Sequence, residues 1–113
     1  MLIFEKTKFF PKEEMYSLTD QVRRSSRSVC ANIAEAYRKR IYPKHFVSKL
    51  TDADSECAET CVHLDFAKRC GYLEDQTHEQ LLALYYEVGK MLGSMINAPE
   101  KFGKLRLPTA AAD

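Results

Sequence analysis

From about Met15 to Asn97, apolar residues recur three and four positions apart, and the pattern breaks only around Pro43 and Gly71. That spacing lays apolar groups along one side of a helix; a strand would need alternation at every second residue. Four glycines and four prolines in 113 residues leave few places to turn, so the elements between them are long. One domain fits this length, because two would each be too small to bury a core.

The first element, Leu2 to Lys8, has helical character for about two turns and is closed by Phe9, Phe10 and Pro11. Proline disfavours helical geometry in the residue before it. Glu13 and Glu14 suit the start of the next helix, expected from Met15 or Ser17 to Arg40, with a stripe of Leu18, Val22, Ser25, Val29, Ile33 and Ala36. Carboxylates there meet the positive end of the helix dipole, and Arg38, Lys39 and Arg40 meet the negative end. Pro43 suits the first turn of a third helix, which runs to Cys70 with Gly71 just beyond as its C-terminal cap. Its stripe is Phe46, Leu50, Ala53, Cys57, Cys61, Leu64 and Ala67.

A fourth helix is expected over Asp75 to Asn97, with Leu81, Leu84, Tyr85, Val88, Leu92, Met95 and Ile96 on its apolar face. Gly89 and Gly93, four apart, either permit close backbone approach or are mild helix defects. Three long helices and one short one, joined by brief turns, predict an all-α, antiparallel up-and-down four-helix bundle with a short or truncated first helix. The bundle domain spans 1–98 and a C-terminal tail spans 99–113. Two turns of first helix are too few to cover partners this long. A further lid is expected, either from residues upstream of Met1 or from a second subunit.

Net charge is +1, which gives no global attraction to nucleic acid. No apolar run approaches the ~20 residues that span a bilayer. Glu5, Lys6 and Lys8 interrupt the N-terminus and make it a poor signal peptide. A cytoplasmic location and reduced thiols at Cys30, Cys57, Cys61 and Cys70 are therefore expected.

Charge is segregated locally. Between Gln21 and Lys49 lie Arg23, Arg24, Arg27, Arg38, Lys39, Arg40, Lys44 and Lys49, against the single acid Glu35. The next helix answers with Asp52, Asp54, Glu56, Glu59 and Asp65. Antiparallel neighbours would bring Arg23 and Arg27 near Glu56 and Glu59, as ion pairs within or between subunits. Arg38, Lys39, Arg40 and Lys44 sit at the corner between the helices, away from that acidic cluster, and are the candidate nucleic-acid contacts. Of the tyrosines, only Tyr37 and Tyr42 are flanked by bases as a stacking platform requires.

Ser25 and Asn32 lie near the apolar stripe and are expected to hydrogen-bond across helices, fixing register. Bundles also host carboxylate-bridged metals, which need Glu-x-x-His on two helices. Glu35 is followed at that spacing by Arg38, and Glu59 by Val62, while His63 stands four after Glu59. Cys57 and Cys61 share a helical face but have no second pair with which to complete a zinc site. His45, His63 and His78 are scattered, and no Ser-His-Asp or Cys-His order is visible. Neither cofactor nor catalytic function is expected.

The segments LTDQVRRSSRSV and ANIAEA, the Ala58-Glu59-Thr60 turn and Gly71-Tyr72-Leu73 together resemble the 23S rRNA-intervening sequence protein family. The resemblance runs from about Phe10 to Ile96. It implies a left-handed bundle that assembles as a ring, commonly a pentamer, in the bacterial cytoplasm. A related branch, the accessory variability proteins of diversity-generating retroelements, is similar in fold and binds a reverse transcriptase and nucleic acid. Two features depart from the family pattern. The first helix is perhaps three turns shorter than usual, and His63 stands where an aromatic such as Trp is common. The expectation is a non-catalytic, homo-oligomeric binding or scaffold protein, with RNA, DNA or a nucleic-acid enzyme as partner. The alternative is a purely structural self-assembling module.

Overall fold

The computed structural model describes residues 2–103. Every regular element among them is helical: α1 Leu2–Thr7, a 3₁₀ turn at Lys12–Glu14, α2 Leu18–Arg38, α3 Pro43–Arg69, α4 Asp75–Asn97 and α5 Glu100–Gly103. The described chain is a rod of 57 × 23 × 19 Å. Its centre is α3, which packs against α2 along one side and α4 along the other, while α1 lies on α2. The short α5 folds back on α3, so the region expected as a tail begins with a helical turn. Residues 104–113 lie outside the described residues.

Each long helix starts and stops for a local reason. The start of α2 has no cap from Ser17; the Glu14 carboxylate takes that role. It accepts the Ser17 hydroxyl at 2.6 Å, the Leu18 N–H at 3.3 Å and the Tyr72 hydroxyl at 2.8 Å. These bonds, that from Ser17 foremost, hold the Glu14 carboxyl below the usual carboxylate range, and the same carboxylate pushes the Tyr72 phenol up to about 12. A single acid thus ties the entry of α2 to the turn between α3 and α4.

That turn is a Schellman motif. The N–H of Gly71 bonds the Lys68 carbonyl at 2.9 Å and that of Tyr72 bonds the Ala67 carbonyl at 2.8 Å. Gly71 has φ +80°, a left-handed conformation that suits glycine. At the other end of α3, Pro43 stands at the first helical position, where its missing N–H costs nothing.

The apolar core falls into two clusters. One gathers Ile3, Phe10, Leu18, Val22, Leu64, Ala67, Leu73 and Leu81 at the α1 end. The other gathers Ala36, Phe46, Leu50, Ala53 and Leu92 near the α2–α3 corner. Leu50, Leu64, Leu81 and Leu92 are each 1% exposed, and full burial of a leucine contributes about 1.5–3 kcal/mol.

Between the clusters lies a polar waist. The buried Thr60 hydroxyl donates to Ser25 across the α2–α3 seam at 2.8 Å, and Ser25 donates to its own Val22 carbonyl at 3.3 Å. Ser25 therefore makes the cross-helix contact expected of it. Asn32 does not; its amide turns back to the Ser28 carbonyl and hydroxyl, one turn earlier on the same helix. A local partner one turn away wins because reaching it orders nothing else.

Beside α1 the cover is incomplete. A trough of about 540 Å³ runs between α2 and α4, with Leu2, Cys30, Ile33, Leu84 and Val88 on its walls. Leu84, expected on the apolar face of α4, remains 53% exposed there. The six-residue α1 fills one end only, as its length predicts.

Two stability changes follow. Gly71→Ala should destabilise the fold by about 1–2 kcal/mol through left-handed strain alone, since none of the described residues lies within 4 Å of an added Cβ. Gly89→Ala, equally free of neighbours but inside a helix, should instead stabilise by about 1 kcal/mol in the same urea titration at fixed protein concentration. In a double-mutant cycle, Thr60→Val and Ser25→Ala should each cost about 0.5–1.5 kcal/mol, since the remaining hydroxyl keeps a carbonyl on its own helix, and the double variant less than their sum. Additive losses would show that the two hydroxyls are not coupled.

Candidate nucleic-acid interface

The corner between α2 and α3 is a tight turn. The C-cap of α2 is Lys39, whose N–H bonds the Ala36 carbonyl at 2.9 Å, and Tyr42 N–H closes the turn on the Lys39 carbonyl at 2.9 Å. Arg38, Lys39, Arg40 and Lys44 all project from this turn or its edges. Among the described residues none of them has an acidic partner within 4 Å. Arg40 is fixed: its Nε donates to the Tyr37 carbonyl at 2.7 Å, and its guanidinium stacks 3.3 Å from the Tyr37 ring centre. Tyr37 is 60% exposed and Tyr42 is 56% exposed. Tyr42 meets His45 edge to face at 6.0 Å.

No side chain caps the N-terminus of α3, and its first turn carries no acid. The positive end of that helix therefore adds to the field of the four cations. One turn into each helix the charge is cancelled: Lys49 reaches Glu35 at 2.7 Å. Their bond holds the Glu35 carboxyl below its usual range and raises the Lys49 ammonium.

The other charged residues fall elsewhere. Arg23 does not meet Glu56 or Glu59 in the chain. Its Nε donates to the Thr7 hydroxyl at 2.7 Å and its guanidinium lies 4.5 Å from the Phe4 ring centre, which seats α1 on α2. Arg27 also covers Phe4, at 5.8 Å. With Arg24, Glu56, Glu59 and His63 it borders a polar groove between α2 and α3, but among the described residues no ion pair crosses it.

Cys57 and Cys61 lie where a stripe places them. Cys57 is buried, and its thiol donates to the Tyr85 carbonyl at 3.3 Å. Burial pushes it up to about 11, and burial raises Cys61 too, so neither is a ready thiolate. Among the described residues no three His, Cys, Asp or Glu side chains converge as metal ligands.

Two residues escaped the pattern reading. Thr60 is fully buried at the spacing of the α3 stripe, and its position alone marks it as a core residue. His78 stands three before Leu81 on the apolar side of α4 and is buried, with Nε2 2.7 Å from Asp65 on α3. Among the described residues its Nδ1 has no partner.

The fold and the corner define a small, all-helical protein whose most distinctive exposed feature is a basic turn flanked by tyrosines. The family model of the 23S rRNA-intervening sequence protein matches residues 1–94, and the chain belongs to that family. The match includes α1 as well as the stretch from Phe10 onward. A comparison with curated proteins finds none that matches. No helix among the described residues is long and apolar enough to cross a membrane.

Alkylation tests the thiol environments. Cys30 and Cys70 are exposed and should react first with iodoacetamide, whereas Cys57 should react about 100-fold more slowly than an ordinary thiol at mildly alkaline pH, read by mass spectrometry of the labelled peptides.

Proposed function

We propose that this protein is a non-catalytic, homo-oligomeric binding protein of the bacterial cytoplasm, and that its α2–α3 corner engages the phosphate backbone of nucleic acid. The single observation that carries this reading is the corner itself. Four cations without acidic partners among the described residues, Arg38, Lys39, Arg40 and Lys44, sit beside two exposed tyrosines at an uncapped helix N-terminus. Phosphate contacts supply affinity and stacking adds to it without regard to sequence.

The helices pack in this reading as an antiparallel, up-and-down four-helix bundle with a short first helix. The cross-helix contacts support that arrangement: Ser25 meets Thr60 and Glu35 meets Lys49, so numbers rise along α2 as they fall along α3. Cys57 with Tyr85 and Asp65 with His78 do the same for α3 and α4. A ring of five, the family habit, would repeat the corner five times and multiply its attraction. The second reading, a structural module that only assembles with itself, is favoured by the lips of the α2–α3 groove, which carry opposite charges left unpaired across it.

Retention on RNA and on duplex DNA, measured across a salt series, separates the two readings. The chain should bind with an affinity that falls steeply with salt, by about 0.7–0.9 logarithmic units per phosphate contact for each tenfold rise. Changing Arg38, Lys39, Arg40 and Lys44 together to Glu should abolish retention while leaving the oligomer mass unchanged. Absence of salt-dependent binding by the unmodified protein rules the corner out as a nucleic-acid site.

A further inference from the structure

We infer that the groove between α2 and α3 is a self-recognition surface that takes a second copy of this chain, an assignment that rests on the reading of the protein as a homo-oligomer. The groove encloses about 660 Å³ and is bordered by small residues, Ser25, Ser28 and Ala31, with Arg24 and Arg27 on the α2 lip and Glu56 and Glu59 on the α3 lip.

Arg27 also lies 5.8 Å from the Phe4 ring centre, and the other charges are left over by the fold. Among the described residues Arg24 pairs only with Asp20 on its own helix, at 3.8 Å and with both side chains well exposed, a geometry that contributes little. Glu56 and Glu59 make no ion pair among the described residues. Both lips stand at the same height along the rod, because Ser25 and Thr60 lock residues near 25 beside residues near 60.

The charge pattern selects the occupant. A polyanion would be attracted by one lip and repelled by the other, and the same holds for a polycation. What fits is a surface with both signs in two parallel rows, and this chain carries such a surface in the groove itself. In a closed ring, each copy offers its basic lip to one neighbour and its acidic lip to the next, so opposite charges meet across the contact and like charges do not, which sets partner and register.

Charge exchange tests the assignment. At micromolar concentration and low salt, light scattering should give the unmodified protein a mass that is a multiple of 13.0 kDa. Arg24→Glu with Arg27→Glu should fall to the mass of one chain, and so should Glu56→Arg with Glu59→Arg. All four changes in one chain should restore the original mass, which also shows that the altered helices still fold, and the two variants mixed should give species heavier than one chain. A monomeric unmodified protein overturns the oligomer reading and this inference together. An oligomer that survives both charge-reversed pairs, or a fourfold variant that stays at the mass of one chain, overturns the groove alone.

Discussion

One buried contact sets the relation between the two longest helices: the Thr60 hydroxyl on Ser25. A shift of one helical turn, about 5.4 Å, would part the two hydroxyls and set each against an apolar neighbour. Each keeps a carbonyl on its own helix, Glu56 for Thr60 at 2.8 Å and Val22 for Ser25 at 3.3 Å, so what selects the register is the bond between them, about 0.5–1.5 kcal/mol. The register it fixes places Lys49 opposite Glu35, closes the corner at Lys39 to Tyr42, and sets the lips of the groove level with each other.

Electrostatics then divides the α2–α3 surface into zones. Near the corner the cations stand alone beside tyrosines; one turn inward Glu35 and Lys49 cancel; at the waist the charges face each other across a gap. The distinction between an outward-facing basic turn and a self-complementary groove comes from distances, not from counts of charged residues. By count alone the second and third helices are simply complementary.

Much of this architecture is legible in the sequence, and the reasons are local. Pro43 and Gly71 mark the ends of α3 because one residue has a fixed backbone and the other tolerates φ +80°. The fourth helix spans Asp75–Asn97 as its periodicity predicts. The misses have one cause: each depends on what a long or polar side chain finds within reach. Glu14 reaches over a turn to cap α2, whereas Arg23 is drawn to Thr7 and Phe4 away from the acids of α3. Asn32 is satisfied locally. His78 finds Asp65 only once α3 and α4 lie side by side. The corner cations are the opposite case, since a tight turn beside a proline leaves their side chains little to reach except solvent and, for Arg40, Tyr37.

The division of the core into two apolar clusters has a thermodynamic consequence. Stability is not uniform along such a rod: α2, α3 and α4 run unbroken through both clusters and join them at the waist, while local opening starts at the ends. The half near α1 depends on a short helix and the Glu14–Tyr72 clasp; the other is closed by Phe46 and the small, tightly packed Ala36 and Ala53. A ligand held at the corner would protect the second half directly and the first only through the waist. The seam that aligns the helices is therefore also the point at which stability gained at one end is passed, or not passed, to the other.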